Sequence, residues 1–142
     1  MNTQNFKRRL TAILSADVEG YSRLMRDDED ETVRTITAYR AAIARLVEQY
    51  RGRVVDSPGD NILVEFGSGL DAVNCAVEIQ RELAERNEEL ADERKMKFRI
   101  GVNSGDVIQE DERIYGDGVN IAARIESLAE GGGISISGTV YD

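Results

Sequence analysis

An α+β fold is what this 142-residue sequence predicts, with elements in the order β-α-β-β-α-β and then a further β-α-β. Three observations carry that reading. Apolar residues recur at helical spacing in two long segments. A proline–glycine turn joins two short strand-like runs between those segments. Strict apolar/polar alternation follows the second segment.

The elements follow in order. Leu10 to Val18 reads as a buried strand, apolar on both faces. The acidic run Asp27 to Glu31 suits the positive end of a helix dipole. Val33, Ile36, Ile43, Val47 and Tyr50 then mark one long amphipathic helix, ended by Gly52. Arg53 to Asp56 and Ile62 to Phe66 are strands joined by the tight turn Ser57-Pro58-Gly59-Asp60-Asn61. A second helix is expected from about Gly69 to Asp92, with Val73, Val77 and Ala84 facing inward beside Ala76, Ile79 and Leu83. Its outer side carries the pairs Arg81–Glu85 and Glu82–Arg86.

Phe98, Ile100 and Val102 alternate with Lys97, Arg99 and Asn103, the pattern of a half-buried strand. Gly105 is expected to turn it towards Val107-Ile108. Ile114-Tyr115 follows the polar loop Gln109 to Arg113. A helix beginning after Gly116-Asp117-Gly118 has Asp117 as its expected N-cap. The stripe Ile121, Ile125 and Leu128 is expected to bury it. Gly131-Gly132-Gly133 stops it, Ile134 to Ser137 is a last strand, and Thr139 to Asp142 opens a further element. This order is that of a ferredoxin-like core with C-terminal additions, one domain over residues 1–142.

Composition narrows the chemistry. Eighteen Lys and Arg against 27 Asp and Glu leave a net charge of −9, which would repel a nucleic-acid backbone. With no histidine, serine–histidine and cysteine–histidine catalysis and histidine metal sites are excluded. Carboxylates, Arg, Lys and hard metal ions remain. The lone Cys75 excludes an internal disulfide and falls in an apolar helical pattern, as a buried thiol would. No apolar run approaches the roughly 18 residues that span a bilayer, and no signal peptide is evident, so the cytosol is the expected compartment.

Two constellations carry chemistry. Asn120 and Arg124 are one helical turn apart, so an amide and a guanidinium project from one face and are equipped to hold an anion. Asp17 near the end of the first strand and Asp60 in the hairpin turn can meet if those strands lie side by side. Mg²⁺ prefers few carboxylates together with phosphate oxygens and water, and two such ions can serve both oxygens of an in-line displacement.

Together, Ser15-Ala16-Asp17-Val18-Glu19-Gly20-Tyr21-Ser22, Gly59-Asp60 ahead of a strand, and Gly116-x-x-Val119-Asn120-x-Ala122-Ala123-Arg124 resemble the three main motifs of class III nucleotidyl cyclase catalytic domains. They occur in order and span essentially the whole chain. The resemblance implies that Asp17, Asp60 and the Val18 carbonyl bind two Mg²⁺ or Mn²⁺ ions. It implies that Arg124 stabilises charge on the α-phosphate, and that Asn120 orients the ribose. The product would be a 3′,5′-cyclic nucleotide with pyrophosphate, formed by positioning and electrostatics without histidine. It further implies a homodimer with composite sites, the aspartates from one subunit and the Asn/Arg helix from the other.

Two departures from the family stand out. Adenylyl cyclases of this class usually read adenine with a Lys four residues before the hairpin Asp and with an Asp or Thr just before the Ile/Tyr-Gly turn. Here those positions hold Asp56 and Arg113, the charges exchanged. Asp56 can accept from guanine N1 and N2 while Arg113 donates to O6, but adenine's donor and acceptor also suit the pair in another pose. ATP is expected ahead of GTP because adenylyl activity is commoner in bacterial-looking domains of this type. The family also continues into a further helix and a hairpin bearing a Lys, so the resemblance implies a piece truncated before them. A degenerate dimerisation module is the competing class. A diguanylate cyclase would need a Gly-Gly-Asp/Glu-Glu-Phe hairpin, which residues 57–61 do not supply.

Overall fold

The computed structural model describes residues 6–110 and 113–141. Two thirteen-residue strands, β1 (Phe6–Val18) and β4 (Phe98–Glu110), form its spine. They pair antiparallel over their whole length, from Phe6 opposite Glu110 to Val18 opposite Phe98. β3 (Ile62–Phe66) pairs antiparallel with the other edge of β1, and β2 (Arg53–Asp56) pairs with β3. The short β5 (Arg113–Tyr115) pairs with the far end of β4, and β6 (Ile134–Ile136) runs parallel to its near end. The order β2-β3-β1-β4 is the ferredoxin-like arrangement expected from the sequence, and β5 and β6 are the additions.

Helices α1 (Tyr21–Asp27) and α2 (Glu29–Gln49) connect β1 to β2, and α3 (Gly69–Asn87) connects β3 to β4. The expected first helix is α2, and α1 is a short helix before it that was not expected. Asp28 is extended, and its side chain accepts from Glu31 N to cap α2. The acidic residues Glu29 to Glu31 occupy the first turn. α3 stops five residues short of Asp92, and a 3₁₀ turn takes Asp92–Arg94.

The main core lies between one sheet face and helices α2 and α3. Leu14, Ala16, Val64, Phe98, Ile100 and Val102 of the strands meet Ile43, Leu46, Cys75, Ala76, Ile79 and Leu83 there. Val77 and Ala84 face outward, contrary to expectation. Burial lifts the Cys75 thiol to about 12, so it stays protonated and inert.

The opposite sheet face is covered by α4 (Asp117–Glu126), which packs on β4 and β1. Its contacts are unusually close. A Cβ on Gly101 would lie 2.2 Å from Glu126 N, and one on Gly118 would lie 2.5 Å from the Asp106 carbonyl. Only glycine lets the helix sit this near the strand. Asn103, expected on a polar outer face, is buried beneath the helix and donates to the Gly118 carbonyl at 3.0 Å. β4 runs straight through Gly105, so the expected turn there does not occur. A small helix, α5 (Gly138–Tyr141), closes the described chain. No helix of the described residues is long and apolar enough to cross a membrane.

Candidate active site

β1 alternates its side chains between the two faces, so Ser15 and Asp17 point to the α4 side, away from Leu14 and Ala16. Arg99 stands directly across from Asp17 on β4, and Gly101 stands across from Ser15. Asp17 takes the Arg99 guanidinium in a fork, Nε to Oδ1 at 3.0 Å and Nη2 to Oδ2 at 2.8 Å. Asp60 reaches the same end of the strand, where its Oδ2 accepts from Val18 N at 3.0 Å. The hairpin turn that delivers it is held by Asn61 N donating to the Pro58 carbonyl and by Gly59 at φ 57°. Asp60, 42 positions away in sequence, therefore meets the backbone of Val18, the chain neighbour of Asp17.

Asn120 and Arg124 make no side-chain contact with Asp17 or Asp60 among the described residues. Both are exposed, on the outside of α4. The helix differs from expectation in two ways. Gly116, not Asp117, occupies the N-cap position, and no side chain caps the helix. Gly118, Ala122 and Glu126 form its buried face, while Ile121 is 39% and Leu128 77% exposed. The close seat on Gly101 demands small residues inward, which rotates the larger apolar stripe outward. A cleft of about 490 Å³ opens at the start of this helix, lined by Asn103, Asp106, Gly116, Asp117 and Ile121 and not by Asp17 or Asp60.

The curl of the sheet brings Asp56 within electrostatic reach of Arg113. Their strands β2 and β5 stand at opposite ends of the strand order, yet the two approach each other. A bulge between Val54 and Asp56 re-aims the end of β2. Tyr115 first, and then Asp56, favour the charged form of Arg113. Among the described residues no cluster of three or more His, Cys, Asp or Glu side chains forms a ready-made metal cage.

A family model described as adenylate and guanylate cyclase catalytic domain matches residues 4–142. The chain belongs to that family. A Rhizobium meliloti protein provisionally named adenylate cyclase 3 is 46% identical over 143 residues, which is all of this chain but 24% of that protein. The chain thus spans about a quarter of that curated relative. Among solved structures, an adenylate/guanylate cyclase/hydrolase from Silicibacter pomeroyi is 40% identical, with a TM-score of 0.90 over 96% of this chain and 80% of that one. The guanylyl cyclase Cya2 is 31% identical, with a TM-score of 0.83 over 94% and 77%.

Two residues of this cyclase domain's site escaped the sequence reading. Arg99 read only as part of the polar half of an alternating strand, and nothing in the sequence singled out Glu126. Glu126 is 4% exposed, its Oε1 accepts from Ser15 Oγ at 3.1 Å, and its Oε2 lies 3.9 Å from Arg99 Nη2. Burial foremost, with Asp17 adding to it, lifts its carboxyl to about 7; Ser15 and Arg99 oppose the rise. Asp17 in turn holds the Arg99 guanidinium above its ordinary range. A glycine in mid-strand, Gly101, was the available signal of a close backbone approach.

Proposed function

We propose that this domain cyclises a nucleoside triphosphate to the 3′,5′-cyclic nucleotide and pyrophosphate, as one half of a homodimer with composite sites. The observation that carries the reading is the hydrogen bond that brings Asp60 to Val18, next to Asp17 at the end of β1, on a chain of the cyclase family. The donor set fits divalent ions such as Mg²⁺ or Mn²⁺. Two carboxylates and a main-chain oxygen leave room for phosphate oxygens, and one guanidinium serves two acids there, so the cluster lacks positive charge. Bound ions would supply Lewis acidity towards the ribose 3′-hydroxyl and the triphosphate.

The protein's own groups position and stabilise. Arg124, exposed and without a side-chain partner among the described residues, is free to meet charge developing on the α-phosphate. Asn120, one turn before it, orients the ribose. Donors aimed at developing charge contribute roughly 10²–10³-fold each. Neither side chain contacts Asp17 or Asp60 of its own chain, and the exposed stripe of Ile121 and Leu128 beside them offers an apolar seat for a second subunit. Both facts support sites shared between protomers.

ATP is the proposed substrate ahead of GTP. The name of the Rhizobium relative supports it, whereas Cya2 is a guanylyl cyclase and the Asp56/Arg113 pair suits guanine as well. We place the domain in the cytosol, where these nucleotides are supplied. One observation favours a second reading, a degenerate dimerisation module: both oxygens of Asp17 are already engaged by Arg99. Side-by-side incubation with ATP and GTP plus Mn²⁺ decides. Cyclic AMP in excess is expected, cyclic GMP in excess reverses the base assignment, and no cyclic product from either sinks the enzyme.

A further inference from the structure

The Arg99 fork on Asp17 is a puzzle if Asp17 is to bind a metal. The surroundings of Arg99 suggest how it is resolved. Gly101 lets α4 rest on β4 so closely that the Glu126 carboxyl is pressed to the sheet surface beside Ser15. There it stands second in line for the same guanidinium, 3.9 Å from Nη2, while Asp17 holds that nitrogen at 2.8 Å. A closure of about 1 Å brings Nη2 and Glu126 into hydrogen-bond range, and a side-chain rotation of Arg99 is enough to provide it. The Arg99 side chain is 29% exposed, so there is space for the movement.

We propose that Arg99 is a positioning residue with two stations, gripping Asp17 while the metal position is empty and turning to Glu126 when a divalent cation takes Asp17. The inference rests on the reading of Asp17 as a metal ligand. Without Arg99, Asp17 and Glu126 would face each other as two uncompensated acids. When a metal ion takes Asp17, Glu126 is the nearest carboxylate left to the guanidinium, with Glu19 a more distant one. The exchange keeps the guanidinium paired with a carboxylate in both states. It also draws Glu126 towards β4, and Glu126 is part of the helix that carries Asn120 and Arg124. Metal binding at one site thereby tightens the helix that serves the other.

The test is Mn²⁺ titrated into the full chain without nucleotide, followed by water-proton relaxation, with amide exchange of residues 117–126 measured in parallel. Glu126→Gln removes the second station and should weaken Mn²⁺ binding roughly tenfold, the scale of one charge-assisted hydrogen bond. Arg99→Lys keeps the charge but loses the fork, and should tighten binding about threefold. Exchange in 117–126 should slow on Mn²⁺ addition in the unsubstituted protein and not in Glu126→Gln. Glu126→Asp, which keeps the charge on a shorter stem, should fall between the two and serves if the Gln variant does not fold. Shifts of the same sign for Glu126→Gln and Arg99→Lys, or no shift in either while Asp17→Asn abolishes binding, overturn the exchange and leave the metal reading standing. Mn²⁺ binding that survives Asp17→Asn overturns both.

Discussion

Two carboxylate–arginine clusters share the α4 side of the sheet, at opposite ends of β1, and they are built with inverse proportions of charge. At one end Glu65, 6% exposed, lies between two guanidiniums, with Arg9 on one oxygen and Arg53 on the other at 2.8 Å. Burial pushes its carboxyl up, but hydrogen bonds from Arg9 and Arg53 outweigh that and hold it below the usual range. At the other end two acids, Asp17 and Glu126, share the single Arg99, and Glu126 is lifted to about 7. The first cluster is saturated with cations and needs nothing more. The second is short of one. The difference separates an acid held charged by two guanidiniums from a pair of acids that share one, and burial alone distinguishes neither.

The strongest way to break this comparison is to remove an acid from each end. Asp17→Ala or Asp60→Ala should lower turnover by about 10³-fold or more while circular dichroism and thermal melting show a folded protein. Glu65→Ala should leave turnover per folded molecule near normal. Equal losses of activity at both ends would refute the division. If sites are composite, mixing Asp17→Ala with Arg124→Ala chains should recover activity from one intact site per heterodimer. No recovery under conditions of subunit exchange counts against that geometry.

Much of the fold was legible because local chemistry and tertiary structure agreed. β2 and β3 begin and end at the expected residues, since Pro58 and Gly59 mark the turn between them. Asn120 and Arg124 also stood out because one helical turn separates them, whereas Asp17 and Asp60 stood out through motifs that resemble the family's in order. What failed was whatever depended on a neighbour. Gly105 looked like a turn because glycine is permissive, yet pairing with β1 keeps β4 extended through it. The Ile121/Leu128 stripe looked like a core face because periodicity cannot tell which neighbour a helix will meet. Glu126 was invisible for the same reason, since its burial is created by Gly101, 25 positions earlier in the chain.

Gly101→Ala is the next largest effect expected. Its methyl would meet main-chain atoms of Glu126 and the Ala122 carbonyl at 2.2–2.7 Å, and backbone cannot yield as a flexible side chain does. A loss of about 3 kcal/mol by chemical denaturation is expected, at the upper end for overpacking. The same substitution at Gly132, where a Cβ would meet nothing but φ is 86°, should cost only about 1 kcal/mol of backbone strain. Glu65→Ala falls between them at about 2 kcal/mol, from losing charge-assisted hydrogen bonds at a buried oxygen. If Gly101→Ala were tolerated, α4 would not be seated as closely as the Asp17–Arg99–Glu126 cluster requires.

The pH dependence of stability most directly sets the two ends against each other. Glu126 has a folded-state value lifted from 4.5 to about 7, so between those values the folded protein holds a proton that the unfolded chain has released. Its contribution therefore makes stability fall as pH rises through that window, with a slope of at most about 1.4 kcal/mol per pH unit. Glu65 is depressed, so its stabilisation is present above the ordinary carboxylate range and is lost as pH falls through 4.5 and below. Urea denaturation of Glu126→Gln should accordingly show a flatter profile between pH 5 and 7, whereas Glu65→Gln should be flatter only on the acid side. The slopes have opposite signs because one acid has two cations and the other has a share of one. Parallel changes in the two variants would mean that burial sets both, and the inverse charge proportions would then have no energetic consequence.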